Sequence, residues 1–300
     1  MKHLLKLSDW SEEEIIETLD FADKLKLEKK SGIEHHYLKG KTLGMIFQKS
    51  STRTRVSFEV GMYDLGGSAL FLSSRDLQIG RGEPIEDTAR VLSRYLDGIM
   101  IRTYAQEEVE TLARVGSIPI INGLTDYCHP CQVLADLMTI REHKGALKGN
   151  KLVYIGDGNN MANSLIVGGI KTGMSVAVAT PADYKPDAEI MEWAEKSGRF
   201  TWTDKVLDAA KDADVLYTDV WASMGQEAEA EARKQIFKNY QINDSVMTAA
   251  KPDAMVLHCL PAHREEEISA KVFEAHANEI FDEAENRLHA QKAVLVKCMC

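Results

Sequence analysis

Residues 42–64 read TLGMIFQKSSTRTRVSFEVGMYD. Positions 42–47 form a β-rich apolar run, and Ser51-Thr52-Arg53-Thr54-Arg55 follows directly. A helical stretch comes next, in which Val56, Val60 and Tyr63 fall in one row. Strand, hydroxyl-rich turn and helix in that order form the repeating unit of an α/β fold. The turn brings free backbone N–H groups and hydroxyls to a helix N-terminus, where an anion can bind. Arg53 can add a bidentate grip on phosphate oxygens. Successive helical residues are offset by about 100°, so Arg53 and Arg55 point to nearly opposite sides. Arg53 is therefore assigned to a phosphate and Arg55 to a supporting ion pair. The ordinary alternative is an N-cap flanked by surface arginines, but three hydroxyls and two arginines in five residues after a buried strand argue against it.

Further strand candidates lie at 68–72, 98–102 and 118–121, then at 151–155, 174–179, 215–219 and 254–258, with helical stretches between most of them. Such alternation implies parallel sheets covered on both faces. Near the N-terminus, Ser11 and Glu14 have capping-box spacing, and Ile15, Leu19 and Ala22 follow at helical intervals. A helix over 130–143 is the expected hinge. The fold expected is two doubly wound α/β domains, 1–135 and 136–284, with a helix over 285–300 packing back on the first. Ligands of open α/β sheets bind beyond the carboxyl ends of the strands, so the active site is expected in the cleft between the domains.

With 36 basic and 46 acidic side chains, the net charge of −10 argues against a nucleic-acid partner. No apolar run approaches the roughly 20 residues that span a membrane. Residues 1–20 show neither a secretory core nor transit-peptide character, so a cytoplasmic location is expected. Five cysteines without an export signal do not suggest a disulfide framework. Cys128 and Cys131 form a C-x-x-C, but the intervening His129-Pro130 suits a helix start better than a zinc site, and no metal is expected.

Four other motifs end strands. His129-Pro130-Cys131-Gln132 puts His129 and Gln132 on one face of a helix start, where they could polarise a carbonyl and orient an amide; alone, such a histidine is more often a cap or core residue. Asp219, followed by Ser223-Met224-Gly225, suits an ammonium ligand or, equally, a helix cap. His258-Cys259-Leu260-Pro261 could form a tight turn aiming carbonyls at a ligand. Gly156-Asp157-Gly158-Asn159-Asn160 imitates a dinucleotide fingerprint, but Met161 stands at the third glycine position, so the helix start suits a carboxylate better.

Together these ordered motifs resemble the aspartate/ornithine carbamoyltransferase family over nearly the whole chain, with S-T-R-T-R as the carbamoyl phosphate signature. His-Pro-Cys-Gln, Asp-x-x-x-Ser-Met-Gly and His-Cys-Leu-Pro stand in the ornithine-type versions. The aspartate-using branch carries Thr where Cys131 stands, and putrescine-using relatives lack the Ser-Met-Gly loop. The resemblance implies that Ser51, Thr52, Arg53 and Thr54 hold the phosphate of carbamoyl phosphate, with Arg287 completing the cage. Arg102 would bridge phosphate and carbonyl oxygen, Thr54 and His129 would share that oxygen, and Gln132 with the carbonyls of Cys259 and Leu260 would hold the NH₂. Asp219 and Cys259 would bind and help deprotonate ornithine, and Asn160, Ser223 and Met224 would bind its amino-acid end. Gln78 would reach a neighbouring subunit's site in a homotrimer. No cofactor is implied. Another amine acceptor such as putrescine is the alternative within the class; a dehydrogenase built on the Gly156 loop and a non-catalytic binding protein are the alternatives outside it.

Overall fold

The computed structural model describes residues 1–300 except Met224; for Gly80 and Glu227 it describes the backbone alone. The chain forms two compact units, Met1–Ala135 with Asn286–Cys300, and Asp136–Glu285.

The first unit opens with α1 (Glu12–Lys30), capped by Ser11 and Glu14 in a reciprocal capping box. Then come β1 (Thr42–Phe47), α2 (Thr52–Asp64), β2 (Ser68–Ser73), α3 (Ile85–Leu92), β3 (Gly98–Arg102), α4 (Gln106–Val115) and β4 (Ile120–Leu124). Among the described residues the strands form a parallel sheet in the order β2-β1-β3-β4. Ile46, Ile99, Ile101 and Ile120 pack beneath α3 and α4 with Ala89, Val109 and Leu112. β4 starts later than the apolar run at 118–121 suggests and continues through Asn122 and Gly123. Asn122 is fully buried, and its amide donates to the carbonyl of Leu5 at 2.8 Å. A Cβ on Gly123 would stand 2.5 Å from the sulfur of Met100 on neighbouring β3, so any larger residue there would displace the Met100 side chain.

The row Val56, Val60 and Tyr63 is not the packed face of α2: Val56 is 50% and Tyr63 79% exposed. The inward row is Thr54, Ser57, Phe58, Gly61 and Met62. Two of these are polar because they meet polar partners: Gln291 donates to Ser57 Oγ at 2.6 Å and Arg287 to Thr54 Oγ1 at 3.2 Å.

α5 (Pro130–Lys144) contains the first unit boundary. The second unit continues with β5 (Lys151–Ile155), α6 (Asn160–Lys171), β6 (Ser175–Ala179), α7 (Ala188–Glu195), β7 (Phe200–Thr203), α8 (Val206–Ala210), β8 (Val215–Thr218), α9 (Ala230–Phe237), α10 (Asp244–Ala249), β9 (Met255–His258), α11 (Ala270–Ala275) and α12 (Ala277–Met299). α12 holds the second boundary. The parallel order is β7-β6-β5-β8-β9. β5 and β8 lie side by side, so the residues just after them are neighbours. No helix among the described residues is long and apolar enough to cross a membrane.

Candidate active site

In the first unit, Ser51 is the N-cap of α2, and its hydroxyl accepts the Thr54 N–H at 3.2 Å. Thr52 and Arg53 follow in the first turn, Thr52 exposed and Arg53 half-buried. Arg55 turns outward, its Nε 3.0 Å from Glu59 Oε1 and its guanidinium over the Phe71 ring at 3.8 Å. The buried helical partner of this turn is Arg287. It donates to Gln132 Oε1 at 2.6 Å, to Thr54 Oγ1 at 3.2 Å and, through Nε, to Gln291 at 2.9 Å. One guanidinium thus joins α2, α5 and α12 through residues 54, 132 and 291.

Arg102 ends β3 and is buried; its carbonyl accepts the N–H of Gln48 at 2.9 Å, which ties the chain leaving β1 to the end of β3. His129, just before Pro130 opens α5, is buried as well. Burial first, then the charges of Arg287, Arg102 and Arg53, push its imidazole well below the ordinary histidine range. A neutral ring beside cations can donate to an oxygen that gains negative charge. Among the described residues, no hydrogen bond joins the Gln78 side chain to this group; it is exposed at the start of the 3₁₀ turn Gln78–Arg81.

Lys49 escapes the motif reading. It is buried, pairs with Asp126 and sits 4.3 Å from the Tyr104 ring centroid. It links the approach to α2 with the turn before His129. A lysine between a buried strand and a hydroxyl-rich turn is the only sequence trace of that role.

In the second unit, Asp219 follows β8 and Cys259 follows β9. The Cys259 thiol donates to Asp219 Oδ1 at 3.0 Å, and the Val220 N–H donates to the same oxygen at 2.8 Å. Asn159 donates to Asp219 Oδ2 at 3.2 Å, while its own Oδ1 caps α6 by accepting from Met161 and Ala162. Burial, then the Asp219 charge, pushes the Cys259 thiol well above its usual range, so the sulfur is a protonated donor to the carboxylate. Asn160 is the first residue of α6 and is buried. Leu260 adopts φ 57°, and the Leu260–Pro261 peptide is cis. The Ser223 N–H donates to Gln226 Oε1 at 2.9 Å; Met224 lies outside the described residues. After this loop come a 3₁₀ turn at Glu227–Glu229 and then α9.

Arg233 on α9 also escapes the motif reading. Buried, it pairs with Asp157, donates to the carbonyl of Trp221 and lies 5.0 Å from the Tyr184 ring centroid. Asp157 is pushed up to about 6, first by burial, which the Arg233 charge opposes and the Asp219 charge reinforces. Arg233 thereby fastens the Gly156 loop to the loop after Asp219. An arginine in a charged helical stretch carries no sequence mark of such burial.

A family profile described as the carbamoyl-P binding domain of aspartate/ornithine carbamoyltransferase matches residues 2–142, and its Asp/Orn binding domain matches 148–298. The chain is 57% identical over 303 residues to the ornithine carbamoyltransferase of Oceanobacillus iheyensis, covering 99% of this chain and 94% of that protein. It is 55% identical over 303 residues to the anabolic ornithine carbamoyltransferase of Pyrococcus furiosus, covering 99% and 96%. The solved structure of ornithine carbamoyltransferase from that organism superposes with a TM-score of 0.95 at 55% identity, over 99% of this chain and 97% of the other. The Thermus thermophilus ornithine carbamoyltransferase structure gives 0.91 at 39% identity, over 100% and 99%. With both halves matched by the same family and close relatives spanning its length, the chain belongs to the aspartate/ornithine carbamoyltransferase family.

Proposed function

We propose that the protein transfers the carbamoyl group of carbamoyl phosphate to the side-chain amine of L-ornithine, giving L-citrulline and phosphate. The observation that carries this reading is His129, neutral among Arg53, Arg102 and Arg287, beside a capped hydroxyl turn. In a chain of net charge −10 this concentration of guanidinium suits a small dianion and an acyl oxygen that becomes anionic.

Ser51, Thr52, Arg53 and Thr54 bind the phosphate with Arg287, and Arg102 bridges it to the carbonyl oxygen. The ornithine amine attacks the carbonyl carbon; the oxyanion is stabilised by Arg102, Thr54 and His129, each well-placed donor contributing about 3–4 kcal/mol. Gln132 and the carbonyls of Cys259 and Leu260 hold the carbamoyl NH₂. The C–O bond to phosphate then breaks, and phosphate departs with the electron pair. Because phosphate already activates the carbonyl, the reaction calls for positioning and electrostatics, not a cofactor. A lysine-like amine costs about 4.6 kcal/mol to deprotonate at pH 7, and Asp219 with its Cys259 donor is the group suited to bind it and take up the proton. Asn160, Ser223 and Met224 bind the amino-acid end.

Ornithine and putrescine differ by an α-carboxylate, and a site built to bind that group can discriminate by about 10⁴ or more. Citrulline formation with ornithine, measured beside carbamoylputrescine formation, tests the acceptor; equal efficiencies would remove ornithine and leave the transferase class standing. The relatives' names do not favour putrescine.

A cytoplasmic homotrimer serving arginine biosynthesis, with Gln78 reaching a neighbour's site, completes the proposal. The homotrimer draws support from the edge strand β2, where Leu70 is 47% and Phe71 39% exposed. Mixed trimers of Gln78→Ala and His129→Ala subunits, each inactive alone, should regain partial activity; mixtures as inactive as their parents would remove Gln78 from a shared site.

A further inference from the structure

The turn after β9 is held by two side chains to which the proposed chemistry gives no part. His258 and Glu267 are both buried, with His258 Nε2 2.9 Å from Glu267 Oε1. That oxygen also accepts the His263 N–H at 2.5 Å. Across the ring, Nδ1 accepts the Leu260 N–H at 2.9 Å. An imidazole nitrogen that accepts an N–H bears no proton, so Nδ1 is the lone-pair nitrogen and Nε2 carries the hydrogen. A carboxylate facing Nε2 selects that tautomer, because it can only accept. The His258 N–H is itself taken by Glu283 Oε2 at 2.9 Å, which fixes the main chain beneath the ring. Leu260 needs such a hold: at φ 57° it occupies the left-handed region that non-glycine residues enter at a cost.

We infer that Glu267 and His258 form a positioning relay for carbamoyl transfer: the carboxylate sets the ring tautomer, and the ring holds the Cys259–Leu260 turn through the Leu260 N–H. The logic is that of a third group orienting a histidine, turned from catalysis to the shaping of a main-chain acceptor site. Neither residue needs to touch substrate. The inference rests on the function proposed above, in which the Cys259 and Leu260 carbonyls hold the carbamoyl NH₂ and the Cys259 thiol meets Asp219.

Nitrogen-15 NMR of histidine-labelled wild-type protein reads the tautomer without any activity, with the His258 signals assigned by their loss in His258→Asn. A protonated Nε2 and a bare Nδ1 are expected; a protonated Nδ1 overturns the relay. In Glu267→Gln the carboxamide can donate as well as accept, so the other tautomer should become populated. kcat and kcat/KM for citrulline formation should then fall together by about ten-fold or more. Two replacements of His258 separate positioning from bulk stability. Asparagine can still accept the N–H two residues on, as in an Asx turn, whereas glutamine is one bond too long. His258→Asn should therefore keep most of the activity that His258→Gln loses, at comparable Tm. Equal activity in the two, or losses that simply follow Tm, overturns the inference. A wild-type protein that forms no citrulline would refute the function, while the tautomer measurement still decides the relay.

Discussion

The two units carry clusters of opposite electrical character on the same kind of scaffold. In the first, burial and then the charges of Arg287, Arg102 and Arg53 depress the basicity of His129. In the second, Asp157 and Asp219 stand together; burial, reinforced by the Asp219 charge, raises the affinity of Asp157 for its proton and keeps the Cys259 thiol protonated. Each cluster is tied by one buried arginine, Arg287 to Gln132 and Thr54, Arg233 to Asp157 and the Trp221 carbonyl. The difference teaches how a chain can serve an anion and a cation: the parallel sheets supply positions, and the sign of the charges gathered at the strand ends chooses the ligand.

The sharpest way to break the contrast is Arg53→Ala, which removes one cation from the first cluster. Carbamoyl phosphate affinity should weaken by about 2–5 kcal/mol, with the fold retained. Isothermal titration with carbamoyl phosphate reads this directly, and near-normal binding by a folded mutant would take Arg53 out of the site.

The second cluster is sharpened by pH. Asp157 stands at about 6 in the fold against a usual 3.8. Its folded-state pKa is raised, so its contribution is fully present below pH 4 and is lost as pH rises towards 6. The shift corresponds to about 3 kcal/mol. Denaturant unfolding of wild type and Asp157→Asn across pH 4–7 should show wild-type stability falling against the mutant over that window. Parallel curves would mean that Arg233 compensates the carboxylate fully.

The smallest effect lies away from both clusters. Ser11→Ala removes the capping box of α1 and should cost about 1 kcal/mol of the first unit's stability, without altering substrate kinetics. A change in kinetics would show that α1 is coupled to the cationic cluster.

The apolar cores were legible, as were the motif turns that follow the strands. Most of the strands were read within a residue or two, because a parallel sheet buried on both faces demands continuous apolar runs. β7 was not read: Phe200–Thr203 is a short edge strand with only Phe200 buried, and such a segment leaves little pattern. The inward face of α2 was misread because Thr54 and Ser57 look like surface residues until Arg287 and Gln291, more than 200 positions away, come to meet them.

By itself the sequence determined the α/β class, the start of α2 at Ser51, the split of Arg53 from Arg55 and the family. The first three follow from local rules of capping, helical offset and burial, which act between residues a few positions apart; the family rests on the resemblance carried by the ordered motifs. Only tertiary structure decided that Arg233 and Lys49 are buried ion-pair partners, that Asn159 rather than Asn160 reaches Asp219, and that Glu267 sets the ring of His258. The reason is physical: a buried charge is tolerable only beside its partner, and that partner lies 77 positions from Lys49 and 76 from Arg233, distances over which no periodicity runs.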